Sequence, residues 1–450
     1  MCGGFPNPPH TQYLLYNYLK RNIQISRWKL KIFSEIYYEY RRVWKTIALY
    51  LMIAGPGIVV MVADNDAGGI TTYAATGAKY GYNLIWFLLL LIPIAYFVQE
   101  MTVRLGVVTK HGHAEAIFDA FGSFWGWFSL LDLMLVKWLT LVTEFIGMSA
   151  ALNVFGVPPY ITVPLVCILL GVISLNGRYW TWEKIALCFC ALNLIYIPGA
   201  FMVHPSATAI MHGVIPNLAG GFNNQLFFFL MANIGTTIAP WMIFFQQSAV
   251  VDKGMKEKDI PWGKFDTLLG SMLTVAVAIF IVIVTGTVLK GVNIDSAAHA
   301  AQALMHVNKY LGEFLAIGLF NAGLLGAICI SLASSWAFGE VFGWAHSLNN
   351  KIKEAPWFYA NYFLTLITAG IVVLIPKAPL VLITLFVQVI AVTLLPPALV
   401  FLLLLLNDEK TIGEYKNTKL QNIVGISITV LIIVLSTLYG ISSIFPHLFK

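Results

Sequence analysis

Charge is what this sequence has least of. Asp, Glu, Lys and Arg make up 11% of its 450 residues, against 59% hydrophobic residues, where a soluble domain carries about a quarter charged residues. That balance, with a mean hydropathy of +0.79, excludes a soluble globule and leaves a chain that crosses a membrane many times. The strict alternation of an outer-membrane barrel is also missing, and many apolar runs reach the roughly 20 residues that a helix needs to span the hydrocarbon. The expected fold class is an all-α polytopic membrane protein. Cysteine is scarce and odd in number: Cys2, Cys167, Cys188, Cys190 and Cys329. A disulfide framework is not expected, and Cys188 and Cys190, two apart, point to different faces of one helix. No removable signal peptide and no phosphate-binding loop are read, which argues against an ATP-driven pump. The chain reads as a transporter and not an enzyme, with no cofactor and no nucleic acid as partner.

What is present is a series of eleven spans, expected at 46–79, 84–106, 123–153, 158–175, 184–203, 224–251, 264–290, 311–346, 357–376, 379–406 and 422–444. Residues 1–45 form a basic arm, either a helix on anionic headgroups or a solvated leader that fixes topology. The positive-inside rule tests the count. With the arm in the cytoplasm, only Lys79, Lys137, Lys290, Lys309, Lys377 and Lys450 of the 27 Lys and Arg fall outside cytoplasmic segments. The expected placement is therefore the plasma membrane, with the N-terminus cytoplasmic and the C-terminus extracellular. The net charge of +6 reflects this orientation.

The exception to low charge lies in the first span, Asp64-Asn65-Asp66-Ala67-Gly68-Gly69. Carboxylates at membrane depth are costly and mark cavities or bound ions. Five spans later, Gly235, Thr236, Thr237 and Pro240 interrupt another apolar run, and proline removes a backbone hydrogen bond there. Two interrupted helices at matching positions are the mark of an inverted-repeat transporter with its site near the midplane. The chain divides into the arm, a first five-helix repeat (46–203), a second inverted repeat (204–406), and a loop with an eleventh helix (407–450). Breaking a helix frees carbonyls, and carbonyls with a carboxylate make a cation site. Asp66 is the expected main ligand, with Asp64 or Asn65 near it, free carbonyls around Ala63, and the carbonyls near Thr236 and Ala239 opposite. All these ligands are oxygens, and no histidine falls within the spanning interior. Such sites favour hard cations, and a roomy site lined by Gly68, Gly69 and Ala239 suits an ion that keeps part of its water.

Several motifs carry a resemblance: GPG at 55–57, the acidic break at 64–69, AKYGYNLIW at 78–86, Gln99 with RLG at 104–106, EFIG at 144–147 and GTTIAPW at 235–241. Together they resemble the natural resistance-associated macrophage protein (NRAMP) family of divalent-metal transporters, and within it the divergent magnesium-transporting branch. The resemblance covers about residues 46–406. It implies a LeuT-like 5+5 inverted repeat with discontinuous helices one and six, and magnesium, with manganese also, as substrate. The departures from the family pattern are specific. Gly69 stands in place of the family's asparagine ligand, Ala239 in place of its methionine, and Trp241 and Gln246 in place of its histidines. Glu144 matches its glutamate on helix three, while Leu141 replaces an aspartate and Leu394 aligns with the glutamine of helix ten. These losses imply weak or absent proton coupling.

Other readings stay open at this point. Asp64 is either a ligand or a cap, Trp241 either a gate or a filler, and Glu144 either a polar anchor or a cavity wall; Gly235 and Pro240 shape the second break. Asp132, Lys137 and Glu144 are expected to form an ion-pair ladder. Glu340 is either paired or at a snorkelling end, and His111-Gly112-His113 lacks the further ligands of a zinc site. The expected oligomeric state is a monomer, and the partners are divalent cations and the bilayer. The rival functions are a sodium-coupled amino-acid symporter on the same scaffold, an ion channel, and a metal-sensing receptor.

Overall fold

The computed structural model describes Tyr38, Arg41 and residues 55–175, 177–217, 221, 223–294, 296–376, 378 and 380–444. Apart from Tyr38 and Arg41, the arm and the first residues of span one lie outside these. The described residues are nearly all helical. Span one is α1 (Pro56–Ala63) and α2 (Ala67–Tyr80), span two α3 (Ile85–Thr109), span three α4 (His113–Val154) and span four α5 (Pro159–Ser174). Span five is α6 (Tyr179–Leu192) and α7 (Tyr196–Met202), joined by one 3₁₀ turn, and is followed by the short α8 (Ala207–Val214). Span six is α9 (Asn224–Gly235) and α10 (Pro240–Asp252), and span seven α11 (Ile260–Val288). A short α12 (Ala297–Val307) precedes span eight, α13 (Lys309–Phe342), and span nine, α14 (Pro356–Leu374). Span ten is α15 (Leu380–Thr393) and α16 (Leu395–Asn407); after α17 (Glu409–Ile412), α18 (Lys419–Ile444) closes the series.

The local chemistry explains these limits. Helices α1, α5, α10 and α14 begin on proline, whose missing N–H is no loss in a first turn. Helices α2 and α13 end at Gly81 and Gly343, both with positive φ. Among the described residues, eight spans are long and apolar enough by themselves to cross a membrane. The others are the broken span one, the long α4 and the 16-residue α5.

Three features differ from the expected spans. Span three extends back to His113, with a kink at Gly122, whose φ is 80°. Span ten is interrupted at Leu394, because Pro396 and Pro397 supply no N–H to the preceding turn. The loops contain α8 and α12, capped by Ser206 and Ser296, whose hydroxyls accept from Ala209 N at 3.3 Å and His299 N at 3.1 Å.

Alternation of the spans shows at both ends of the bundle. At one end, called here the basic face, Gly55, Glu183, Lys253 and Asp266 come together. At the other, Tyr82 Oη lies 2.5 Å from Thr287 Oγ1, and Gly291 N donates to Ala78 O at 2.8 Å. The most extensive packing is α4 against α13, with α11 against α1, α2 and α3. The seams are filled by small residues: a Cβ added to Gly270 would lie 2.8 Å from Gly57 O. The two breaks are thus held in the middle of the bundle.

Candidate cation site

The first break begins where α1 stops. In an unbroken helix Ala67 N would donate to Ala63 O, but it donates instead to Glu144 Oε2 on α4 at 3.0 Å, which leaves Ala63 O without that donor. Asp66 caps α2, its Oδ1 accepting from Gly69 N at 2.6 Å. Two carboxylates therefore face the N-terminus of one helix, where the exposed amides favour negative charge. Both are closed in: Asp66 is 1% exposed and Glu144 0%. They converge on α13, where a Cβ added to Gly326 would lie 3.0 Å from Glu144 Oε2 and 3.3 Å from Asp66 Cβ. Glu144 is thus a wall of the break and an anchor of α2 at once, with Oε1 unpartnered. Asp64 has an unpartnered Oδ2, and Asn65 donates to Thr274 O on α11 at 3.0 Å while its Oδ1 has no partner. Buried polar atoms in this state are rare in a finished core, and here they come from the break after α1 and from α4.

Gly69 lies where the two breaks approach each other. A Cβ built there would meet Asp64 O at 3.2 Å, Asp66 Oδ1 at 3.3 Å and Thr236 Cβ at 3.6 Å. A side chain at this position would therefore enter the gap between the two breaks.

The second break is more self-contained than expected. Thr236 O accepts from Tyr73 Oη on α2 at 3.1 Å. Ala239 O accepts from Met242 N at 3.1 Å. Each carbonyl keeps only its second lone pair for a ligand. The carbonyl that is released belongs to Gly235, because Ala239 N, its donor in a continuous helix, turns to Met242 Sδ at 3.2 Å. The Met242 sulfur thus folds back one turn to cap the start of α10. Pro240 sets the first turn of α10, and Trp241 is fully buried, 6.3 Å from the Phe245 ring, within a cluster that includes Trp182 and Trp336. Its indole N–H has no partner. Gln246 turns away from the break and donates to Thr267 Oγ1 at 2.9 Å.

A residue not chosen from the sequence completes the site. Gln388 on α15 lies with Nε2 3.5 Å from Asp66 Oδ1. Two glycines admit it: a Cβ at Gly68 would lie 1.9 Å from Gln388 Nε2, and one at Gly235 2.1 Å from Gln388 O. Span ten thus brings Gln388 to the first break, while Leu394, the position matched to the family's glutamine, sits at the junction of α15 and α16. A buried amide in an otherwise apolar run was the available signal.

The ion-pair ladder on α4 is not formed. Lys137 is fully buried and its Nζ has no hydrogen-bond partner. Asp132 is five residues away, about 140° around the helix, and Glu144 is two turns along with its carboxylate committed to Ala67 N. Glu340, by contrast, is paired, accepting from Ser248 Oγ at 2.5 Å. His111 does gain further candidate ligands at the basic face, with Asp119 Oδ2 3.2 Å from its Nδ1 and Glu115 nearby. His113 turns instead to Gln247 Oε1 at 2.9 Å.

Towards the basic face the start of α1 is tied down. Asp266 accepts from Gly57 N at 2.7 Å and Ile58 N at 3.2 Å, and Lys253 pairs with Glu183 at 2.9 Å.

Comparison with known proteins places this arrangement. The profile of the family described as natural resistance-associated macrophage protein-like matches residues 57–442. The divalent metal cation transporter MntH of Listeria welshimeri is 24% identical over 393 residues, covering 85% of this chain and 88% of its own. The natural resistance-associated macrophage protein 2 homolog of Dictyostelium discoideum is 25% identical over 412 residues, covering 87% of this chain and 64% of its own. The crystal structure of the Eremococcus coleocola manganese transporter, with a bis-isothiourea compound, matches with a TM-score of 0.73 at 20% identity, over 89% of this chain and 87% of that one. MhsT in complex with L-phenylalanine matches at 0.55 and 11% identity, over 88% and 98%. The last two similarities establish the LeuT-like fold. With a family match that spans most of its length, the chain belongs to the natural resistance-associated macrophage protein-like family.

Proposed function

We propose that the chain imports divalent cations, magnesium and also manganese, by alternating access between bundles that meet at the two breaks. Asp66 is the main ligand. Carbonyls of Ala63 and Asp64, a side-chain oxygen of Asn65 or Asp64, the Gln388 amide, the second lone pairs of Thr236 and Ala239, and water complete the shell. The observation that supports the reading is the convergence at Gly69 of Asp64 O, Asp66 Oδ1 and Thr236, which lie 3.2, 3.3 and 3.6 Å from where its Cβ would stand. A ligand side chain there would fill the gap; its absence leaves room for water on the ion, as suits magnesium, which gives up its shell reluctantly. The named relatives, a divalent metal cation transporter and a manganese transporter, support the substrate class.

Transport runs down the ion gradient and membrane potential with weak or no proton coupling, since Trp241 and Gln246 stand in place of the family's histidines and Leu141 in place of its aspartate. The chain acts as a monomer in the plasma membrane with its N-terminus in the cytoplasm. Uptake of magnesium and manganese into proteoliposomes tests this. Asp66→Ala abolishes uptake while the protein stays folded, and the lumenal pH does not change in step with the metal. Near-normal uptake by that variant refutes the site, and acidification proportional to magnesium entry refutes the coupling.

A further inference from the structure

The turn between α3 and α4, at the basic face, carries donors that the break does not use. Lys110, with a φ of 61°, ends α3, and its ammonium is taken by Val107 O and Met255 O. His111, its side chain 46% exposed, then reaches over the first two turns of α4, where its Nδ1 lies 3.2 Å from Asp119 Oδ2 and its Nε2 3.9 Å from Glu115 Oε1. One donor from each of the three residues can be chosen so that all lie within 4.8 Å of one another. Around zinc at about 2.1 Å, tetrahedral donors stand roughly 3.4 Å apart, so small side-chain movements close the three on one ion and leave a fourth position for water. Among the described residues, the ion pairs of Glu115 and Asp119 are both with His111, so no lysine or arginine there takes the place of a cation.

A second observation lies beneath the turn. Glu340 on α13 is 8% exposed, and its carboxyl group presses on Gly112, where an added Cβ would stand 1.9 Å from Oε1 and 2.1 Å from Oε2. Oε1 accepts from Ser248 Oγ on α10, while Oε2 has no partner. A buried oxygen is thus aimed at the residue that joins His111 to α4; such an atom calls for a donor, and water on a metal at the turn supplies one. The donor set also differs from that of the break, since imidazole beside carboxylates favours zinc over manganese or magnesium. The turn is tied to the second break as well. Gln247 Nε2 donates to His111 O at 3.0 Å, and Ser248 holds Glu340; both stand on α10, about two turns beyond Pro240.

We infer that His111, Glu115 and Asp119 form a regulatory zinc site at the basic face, whose occupation fixes the turn between α3 and α4 against α10 and slows uptake. The regulation, though not the binding, rests on cations being carried through the break at Asp66. Calorimetry on the full chain finds one zinc bound to Asp66→Ala at micromolar concentration. The double variant His111→Ala, Asp119→Asn keeps the parent's magnesium uptake and melting temperature in zinc-free buffer. Its zinc affinity falls by at least the roughly tenfold that loss of even an outer partner of a metal costs. Cobalt in place of zinc gives the intense visible bands of a four-coordinate ion in the parent and not in the double variant. Zinc presented to the basic face in proteoliposomes slows magnesium uptake by the parent about fivefold and leaves the double variant unaffected. Binding that needs millimolar zinc, that survives the double variant or that disappears with Asp66 overturns the site, and equal slowing of parent and double variant overturns its control of uptake. Uptake that persists in Asp66→Ala overturns the break as the transport site and leaves zinc binding at the turn standing.

Discussion

Gly69→Asn puts a ligand side chain between Asp64 O, Asp66 Oδ1 and Thr236. Gly69 does not have a positive φ, so asparagine meets no backbone strain there, and in a first helical turn it costs no more than glycine does. The added Cβ would sit 3.2 Å from Asp64 O and 3.3 Å from Asp66 Oδ1, tight by a few tenths of an ångström, which the end of the Asp66 side chain absorbs. The carboxamide then occupies the room of about two waters, at roughly 30 Å³ each. An ion that enters must give up those waters for the amide. Magnesium does so less readily than manganese, so the preference for magnesium falls about tenfold, or ~1.4 kcal/mol. Competitive uptake of the two ions into proteoliposomes, read as the ratio of kcat/KM, measures this. Gly69→Ala is the control, because it adds the Cβ without the amide and leaves the ratio near the parent value. A ratio unchanged within twofold in Gly69→Asn refutes the argument that the open side of Gly69 holds water.

Other expected outcomes follow from single contacts. Gln388→Leu keeps the helix but removes the amide beside Asp66, and raises the KM for both ions about five- to tenfold, as loss of a hydrogen bond to a charged group does; an unchanged KM places Gln388 outside the site. Gly235→Ala drives a Cβ into Gln388 O, a backbone atom that cannot swing away, and costs 3 kcal/mol or more of stability; normal yield and melting temperature contradict the close packing of α9 and α15. Lys137→Met replaces a buried, unpartnered amine by a side chain of similar length, so thermal stability rises by roughly 1–3 kcal/mol with uptake kept within twofold. Loss of uptake in folded Lys137→Met protein gives Lys137 a part in transport. Met242→Leu leaves magnesium uptake near normal and lowers uptake of the softer cadmium ion; equal effects on both show that the sulfur at Ala239 N does not reach the ion.

Much of the architecture was legible because membrane helices announce themselves by length and hydropathy, and because unpaired backbone at depth needs a reason. Pro240 and the Asp64–Gly69 run mark both breaks; Asp66 stands at the first, and Glu144, open between anchor and wall in the sequence, reaches it from α4. Features that depend on three-dimensional partners were not legible. The Tyr73 hydroxyl that occupies Thr236 O, and the Met242 sulfur that turns to Ala239 N, come from side chains a turn or a helix away. No motif in the local sequence marks Gln388, whereas the bare backbones of Gly68 and Gly235 fix it in space beside Asp66. The ladder at Lys137 failed on helix geometry, since five residues place Asp132 on another side of α4. Helices α8 and α12 are too short to register as spans by hydropathy, and their N-caps Ser206 and Ser296 are the only local mark of them.

The central claim is that the ion at Asp66 keeps part of its water. Electron spin echo spectroscopy of manganese bound to the full chain in deuterated water counts the water bound directly to the metal. The account predicts at least two bound waters in the parent chain, fewer in Gly69→Asn, and no specific manganese signal in Asp66→Ala. A fully dehydrated ion in the parent chain, or the same signal without Asp66, contradicts it.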